Sequence, residues 1–278
     1  MTQEAIDHWY LNLSDVKLNE CNFEPVLRMM YVNPSFFRGL DLSFNPLFKE
    51  NCLKRLYFEK RNERYQYQEE YNLGRYVKCP HMKFITFLSL EKTGIVDSNW
   101  LSNFLGSVLH RCPDLEILIL NFLPINDKIL DSLTKSVVQA ATGSHQLAQN
   151  LKEIGLSNTK ISDKSACKLL YVLMKHTQLQ VLNLEWNQGI GFRTPSIILQ
   201  QLFESMSNSH DIWNEDQKIY LKEIFLEYTL VSTSLKQNLE LALDHYHSGN
   251  HYEVNKISKK YNLGKANGYR SQPRQNIK

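Results

Sequence analysis

The stretch from Leu151 to Ile190 writes one pattern twice, and nothing else in the chain restricts the fold so strongly. Leu151, Ile154, Leu156, Thr159 and Ile161 occupy positions 1, 4, 6, 9 and 11 of a unit. Leu179, Leu182, Leu184, Asn187 and Ile190 repeat it 28 residues later, with one extra residue before the last. Positions 4 and 6 alternate as a short strand that buries one face. Residues 163–176, with Ala166, Leu169, Leu170 and Leu173, then change to helical spacing. One strand and one helix cannot enclose a core alone. Such units must stack on one another, which makes the chain a solenoid and points towards binding rather than catalysis.

The template extends outward from this pair. Leu11, Leu13, Val16 and Leu18 follow His8; Phe37, Leu40, Leu42, Asn45 and Leu47 come next. Ile85, Leu88, Leu90, Thr93 and Ile95 form a third unit, and Leu115, Leu118, Leu120, Leu123 and Ile125 a fourth. After the central pair come Leu221, Ile224, Leu226, Thr229 and Val231. The seven units start at residues 8, 37, 85, 115, 151, 179 and 221, so the spacings are 29, 48, 30, 36, 28 and 42. The long intervals locate insertions or an unrecognised unit. In the first of them Leu53, Leu56 and Phe58 begin either a degenerate eighth strand or part of a long helix after Pro46, followed by a charged stretch from Glu59 to Tyr71. The polar segments Ala141 to Asn150 and Ser207 to Lys218 read as surface loops.

Helical stripes connect the strands. They run over Asp97 to Arg111, Asp127 to Ala140, Asp163 to His176 and Pro195 to Met206, with Asp97 and Asp163 suited to N-caps and Pro195 to a first turn. A last helix, Ser232 to His247, closes the array, which gives a solenoid over residues 1–247. Beyond it, residues 248–278 carry seven basic side chains against the single Glu253 and few apolar ones, and this tail is expected to be disordered.

The template LxxLxLxxNxL followed by a helix resembles the leucine-rich repeat, and the unit length near 29 resembles its ribonuclease-inhibitor subtype, over about His8 to His247. The resemblance implies an α/β fold: a curved solenoid of about seven to eight repeats, with a parallel sheet on the concave side and helices on the convex side. Asparagine at position 9 would bond the turn backbone. Here Asn45 and Asn187 can do so, Thr93, Thr159 and Thr229 can in part, and Val16 and Leu123 cannot, so irregularity is expected at the N-terminal end and near Leu123. Proteins of this subtype are mostly interaction modules of the cytosol. Similar short irregular arrays occur among bacterial proteins delivered into host cells. In the GTPase-activating leucine-rich group a repeat-loop arginine acts on the partner, and no residue here matches it.

With positions 4 and 6 buried, positions 3, 5, 7 and 8 present the surface of the sheet. Across the seven units these 28 residues include seven aromatic and seven acidic side chains against one lysine, a face near −6 on a chain of net charge +3. Rigid aromatic area within a patch of one sign suits a protein partner with a basic or mixed basic and apolar surface. The candidate partner-binding residues are Asp41, Phe87, Glu91, Ile117, Ile119, Glu153, Glu185, Trp186, Glu223, Phe225, Glu227 and Tyr228, weighted towards the last two units. Position 8 begins the turn, so Phe44, Phe122, Trp186 and Tyr228 either pack under the loop edge or face a ligand.

Other chemistry finds less support. Asp244, His245, His247 and His251 have metal-compatible spacing, but on a helix end and its adjoining segment they are poorly preorganised. Gly189-Ile-Gly191 lacks a third glycine, and Cys112 and Cys167 lack a histidine partner that the repeat would bring close. No catalytic residue, cofactor, metal or small-molecule substrate is expected. Five scattered cysteines without a CxxC fit a reducing, cytoplasmic setting, and the polar start argues against a signal peptide. The basic tail offers a separate route to nucleic acid or an anionic membrane.

Overall fold

Seven short strands form where the template puts positions 3 to 5, and they pair in parallel. They are β1 (Trp9–Asn12), β2 (Phe37–Asp41), β3 (Phe87–Ser89), β4 (Ile117–Ile119), β5 (Glu153–Gly155), β6 (Val181–Asn183) and β7 (Glu223–Phe225). The computed structural model describes residues 9–32, 37–52, 84–106, 108–142, 150–207 and 218–261. The strands lie in one sheet in sequence order, β1 to β7. Tyr10, Gly39, Phe87, Ile117, Glu153, Val181 and Glu223 share one rung, and the next rung holds the leucines and isoleucines of position 4. The repeat numbering read from sequence is therefore the hydrogen-bond register of the sheet.

Helices alternate with the strands: α1 (Glu24–Val32), α2 (Ser98–Leu105), α3 (Val108–Arg111), α4 (Asp127–Thr142), α5 (Asp163–His176), α6 (Arg193–Ser207), α7 (Thr233–His247) and α8 (His251–Lys260). Successive helices pack side by side, α2 on α4, α4 on α5, α5 on α6 and α6 on α7. Their apolar stripes meet the buried rows of the sheet. Leu40, Leu88, Leu118, Ile154 and Leu182 are buried with Leu101, Leu130, Leu169 and Leu199 in a single core. Each such side chain withdrawn from water contributes about 1.5–3 kcal/mol. That is why a three-residue strand persists here.

Two kinds of polar bond tie one unit to the next. The turn asparagines reach backward. Asn187 accepts from the Thr159 backbone N–H at 2.9 Å and the Thr159 hydroxyl at 2.8 Å, and its Nδ2 donates to the carbonyls of Leu156, Leu184 and Glu185. Asn45 does the same across the first boundary, accepting from Leu18 N–H and donating to Leu13, Leu42 and Ser43. The threonines at this position bond their own turn, to Leu90, Leu156 and Leu226 carbonyls. Carboxylates before or at a helix start reach forward: Glu50 accepts from Val96 and Asp97 N–H, Asp127 from Ser162 N–H, and Asp163 from Arg193 and Thr194 N–H.

The structure departs from the sequence reading in identifiable ways. In unit 2 the buried last position is Phe48, not Leu47, which is exposed, because this unit also carries the extra residue seen after Asn187. The two asparagine turns are one residue longer than the threonine turns, and each closes with an N–H to the asparagine carbonyl, Phe48 to Asn45 and Ile190 to Asn187. Ser162 rather than Asp163 caps α5, which leaves the Asp163 carboxylate to serve α6. The single helix expected over Asp97 to Arg111 ends at Leu105, with Gly106, a poor helix former, at the break. Irregularity at the N-terminus is real: Val16 is exposed between Asp15 and Lys17, both with positive φ.

The expectation of disorder beyond His247 is corrected for residues 251–260. Val254, Ile257 and Tyr261 recur at helical spacing, and α8 buries Val254, Ile257 and Ser258 while packing on α6 and α7. Asn238 donates to the Tyr261 hydroxyl at 2.9 Å. The eighth strand near Leu53, the charged stretch Glu59 to Tyr71 and residues 262–278 lie outside the described residues.

Asn187→Ala removes one residue that satisfies two donors and three carbonyls in a fully buried turn. The expected cost is about 3 kcal/mol in urea unfolding, against about 1 kcal/mol for Thr229→Val, whose hydroxyl donates to the Leu226 carbonyl and accepts a longer bond from the Val231 N–H at 3.4 Å within its own turn. Equal losses would show that Asn187 does not tie the units together.

Candidate functional site

The side chains on the sheet face opposite the helices fall into three regions. At the N-terminal end the Tyr10 ring lies across Gly39, so closely that a Cβ there would sit 2.0 Å from Tyr10 Cδ1. It meets Phe87 edge-on with ring centroids 6.4 Å apart. In the middle, Phe87, Ile117 and Ile119 are half-buried. Ile119 and Asn121 lean over Gly155, where a Cβ would meet Asn121 Oδ1 at 2.8 Å. The C-terminal third gathers Glu153, Glu185, Glu223, Phe225 and Glu227 around the smaller Val181 and Asn183 on β5 to β7.

Several candidate carboxylates are engaged inside the face. Asp41 accepts from the Ser43 N–H at 3.0 Å and the Ser43 hydroxyl at 2.5 Å, so it closes its own turn. Glu91 accepts from Asn121 Nδ2 at 3.1 Å, Glu185 receives Asn183 Nδ2 at 3.4 Å, and Glu227 pairs with Lys236 at 3.2 Å. Among the described residues Glu153 and Glu223 form no ion pair. Burial pushes the Glu153 carboxyl above the ordinary glutamate range, and the like charge of Glu223 adds to it. Unlike Asp41, Glu91, Glu185 and Glu227, these two acids accept no side-chain hydrogen bond among the described residues.

Position 8 behaves as sequence alone did not reveal. Asp15, Phe44, Lys92, Phe122, Asn158, Trp186 and Tyr228 all have φ between 50° and 61°. This left-handed conformation lets the chain turn after each strand, and it costs a non-glycine residue about 1–2 kcal/mol. None of the seven is glycine, and the backbone turns their side chains outward. Phe44, Phe122, Trp186 and Tyr228 are 41%, 37%, 50% and 64% exposed, so they do not pack under the loop edge. They fall in two groups on either side of Asn158: Lys92 Nζ lies 4.9 Å from the Phe44 ring and 4.2 Å from Phe122, and Trp186 stacks on Tyr228 at 3.7 Å and 18°. The clue to Lys92 and Asn158 was present in the aligned position-8 column, but not the backbone twist that makes the column a surface.

Elsewhere the chemistry is sparse. A cleft of about 50 Å³ between β7 and α7, lined by Phe225, Glu227, Lys236 and Leu239, is too small for a typical organic ligand. Burial pushes the Cys167 thiol up to about 11, so it stays protonated at neutral pH. His247 Nε2 lies 2.7 Å from the Leu221 carbonyl, which fixes the end of α7 to its own strand. Among the described residues no group of three His, Cys, Asp or Glu side chains is arranged to hold a metal ion, and no helix is long and apolar enough to cross a membrane.

No family model matches the chain, and no curated protein matches it in sequence.

The raised carboxyl of Glu153 gives a pH dependence of defined sign. Its ionised form is penalised in the folded chain, so the penalty is absent well below the ordinary value of 4.5 and grows as pH rises through and above it. Glu153→Gln should therefore stabilise the protein at neutral pH relative to wild type and leave stability near pH 3 unchanged. Carboxyl NMR of Glu223→Gln should show Glu153 titrating at lower pH than in wild type. An unmoved Glu153 would mean that the two acids do not share a field.

Proposed function

We propose that this chain is a non-catalytic leucine-rich-repeat protein of the ribonuclease-inhibitor kind, and that the sheet face without helices captures another protein. The observation that carries the reading is the C-terminal third of that face. There Glu153 and Glu223 stand on one rung and, among the described residues, form no ion pair; the exposed Phe225 lies on the same strand as Glu223, and Trp186 and Tyr228 follow in the turns of the last two units. A desolvating partner gains most where aromatic area adjoins uncompensated charge, so the partner surface is basic at its rim and apolar at its centre. Steering by the acidic patch would raise the association rate and fall off with salt, because the Debye length is only about 8 Å at physiological ionic strength. A reducing, cytoplasmic setting is part of the same proposal, and it suits the free thiols of Cys21, Cys52, Cys112 and Cys167 among the described residues.

The test is affinity capture from lysate with the wild-type chain and a Glu185→Lys, Phe225→Ala double variant of unchanged circular dichroism. The expected outcome is one or more proteins retained by wild type, eluted by salt and absent with the variant. Equal capture by both would move the binding surface away from β6 and β7.

A further inference from the structure

Position 8 carries one arrangement twice, filled differently. Across units 2 to 4 the row reads Phe44, Lys92, Phe122, and the ammonium sits between two rings at 4.9 Å and 4.2 Å. Across units 4 to 6 it reads Phe122, Asn158, Trp186, again with aromatic side chains one strand away on either side. Both ring pairs lie two strand spacings apart, about 10 Å, which is the width a sandwiched cation needs. Lys92 and Asn158 share φ 50°, so the backbone presents the two middle residues alike. The difference is length and charge. Tyr228 backs Trp186 from the far side and holds the indole plane, while the Asn158 N–H donates 2.8 Å to the Glu185 carbonyl and sets that glutamate alongside.

We infer that the interval over Asn158, between Phe122 and Trp186, receives an arginine side chain of the partner, as Lys92 fills the neighbouring interval from within the chain. This inference rests on the sheet face being the partner site. Guanidinium suits the interval better than ammonium, since it is planar, stacks on aromatic faces and is weakly hydrated. Its N–H groups would meet the Asn158 amide oxygen and the Glu185 carboxylate, and Glu153 and Glu223 extend the same field across the sheet. A partner segment with arginine at this point and further basic residues along it matches the surface by charge.

Calorimetric titration of the full chain with a hepta-arginine peptide, and separately with hepta-lysine, tests the inference at low and physiological salt. The arginine peptide should bind the more tightly. Asn158→Lys places the chain's own cation in the interval, and its expected effect is a loss of about tenfold. Asn12→Lys, which adds the same charge on β1, should change affinity by less than about twofold. Lys92→Asn opens the second interval and should strengthen binding beyond Lys17→Asn, its charge-matched control. Trp186→Leu gives an independent loss should the lysine variant fold poorly. Equal weakening by Asn158→Lys and Asn12→Lys would overturn the inference and leave the acidic-face reading standing. Absence of any binding by either peptide would sink both.

Discussion

A strand of three residues cannot satisfy its own backbone, and every structural choice in this chain follows from that. Each N–H and C=O on a strand edge must meet a neighbour in parallel register, so the units must share one geometry along the sheet. Leu88, Leu118, Ile154 and Leu182 occupy one buried rung because a shift by one residue would turn that whole row towards water. The helices then vary in length and the intervals stretch to 48 residues without disturbing the register, since insertions fall between the paired segments.

This division explains what could be read from sequence. The parallel seven-stranded sheet, its alternation with helices and the placement of positions 3 to 5 were legible because burial imposes period 2 and then period 3.6 on the same short unit. Phe48 was missed because turn length depends on whether asparagine or threonine closes the turn, a hydrogen-bonding matter that apolar spacing does not report. The helix over residues 251–260 was missed because its three apolar side chains are diluted by lysines, and composition outweighed spacing. The candidate face was readable as a list of outward residues. Which carboxylates remain uncompensated was not, since Asp41 and Glu227 find partners through contacts that only the folded chain defines.

The left-handed residues after each strand give the surface its character. A side chain held there has paid for its backbone in advance and enters a contact with little further ordering, which favours recognition by the exposed rings of Phe122, Trp186 and Tyr228. Glycine would ease the turn at every one of these positions and would remove the row altogether.

The boundaries between units are not held alike. Asn45 joins the first two, Glu50 the second and third, Asp127 the fourth and fifth, and both Asp163 and Asn187 the fifth and sixth. Between the third and fourth, among the described residues, neither a turn asparagine nor a helix-start carboxylate crosses, and Ser102 meets Ser132 and Asn121 meets Glu91 instead; the sixth and seventh likewise lack both. There Tyr246 reaches from α7 to Ser205 and the Ile219 N–H, and α8 lies against α6 and α7 together. The helix α8 is thus a brace behind the joint on whose other side Trp186 and Tyr228 stack. Residues on the helix side of the molecule thereby govern how firmly the two stacked rings of Trp186 and Tyr228 are held in line.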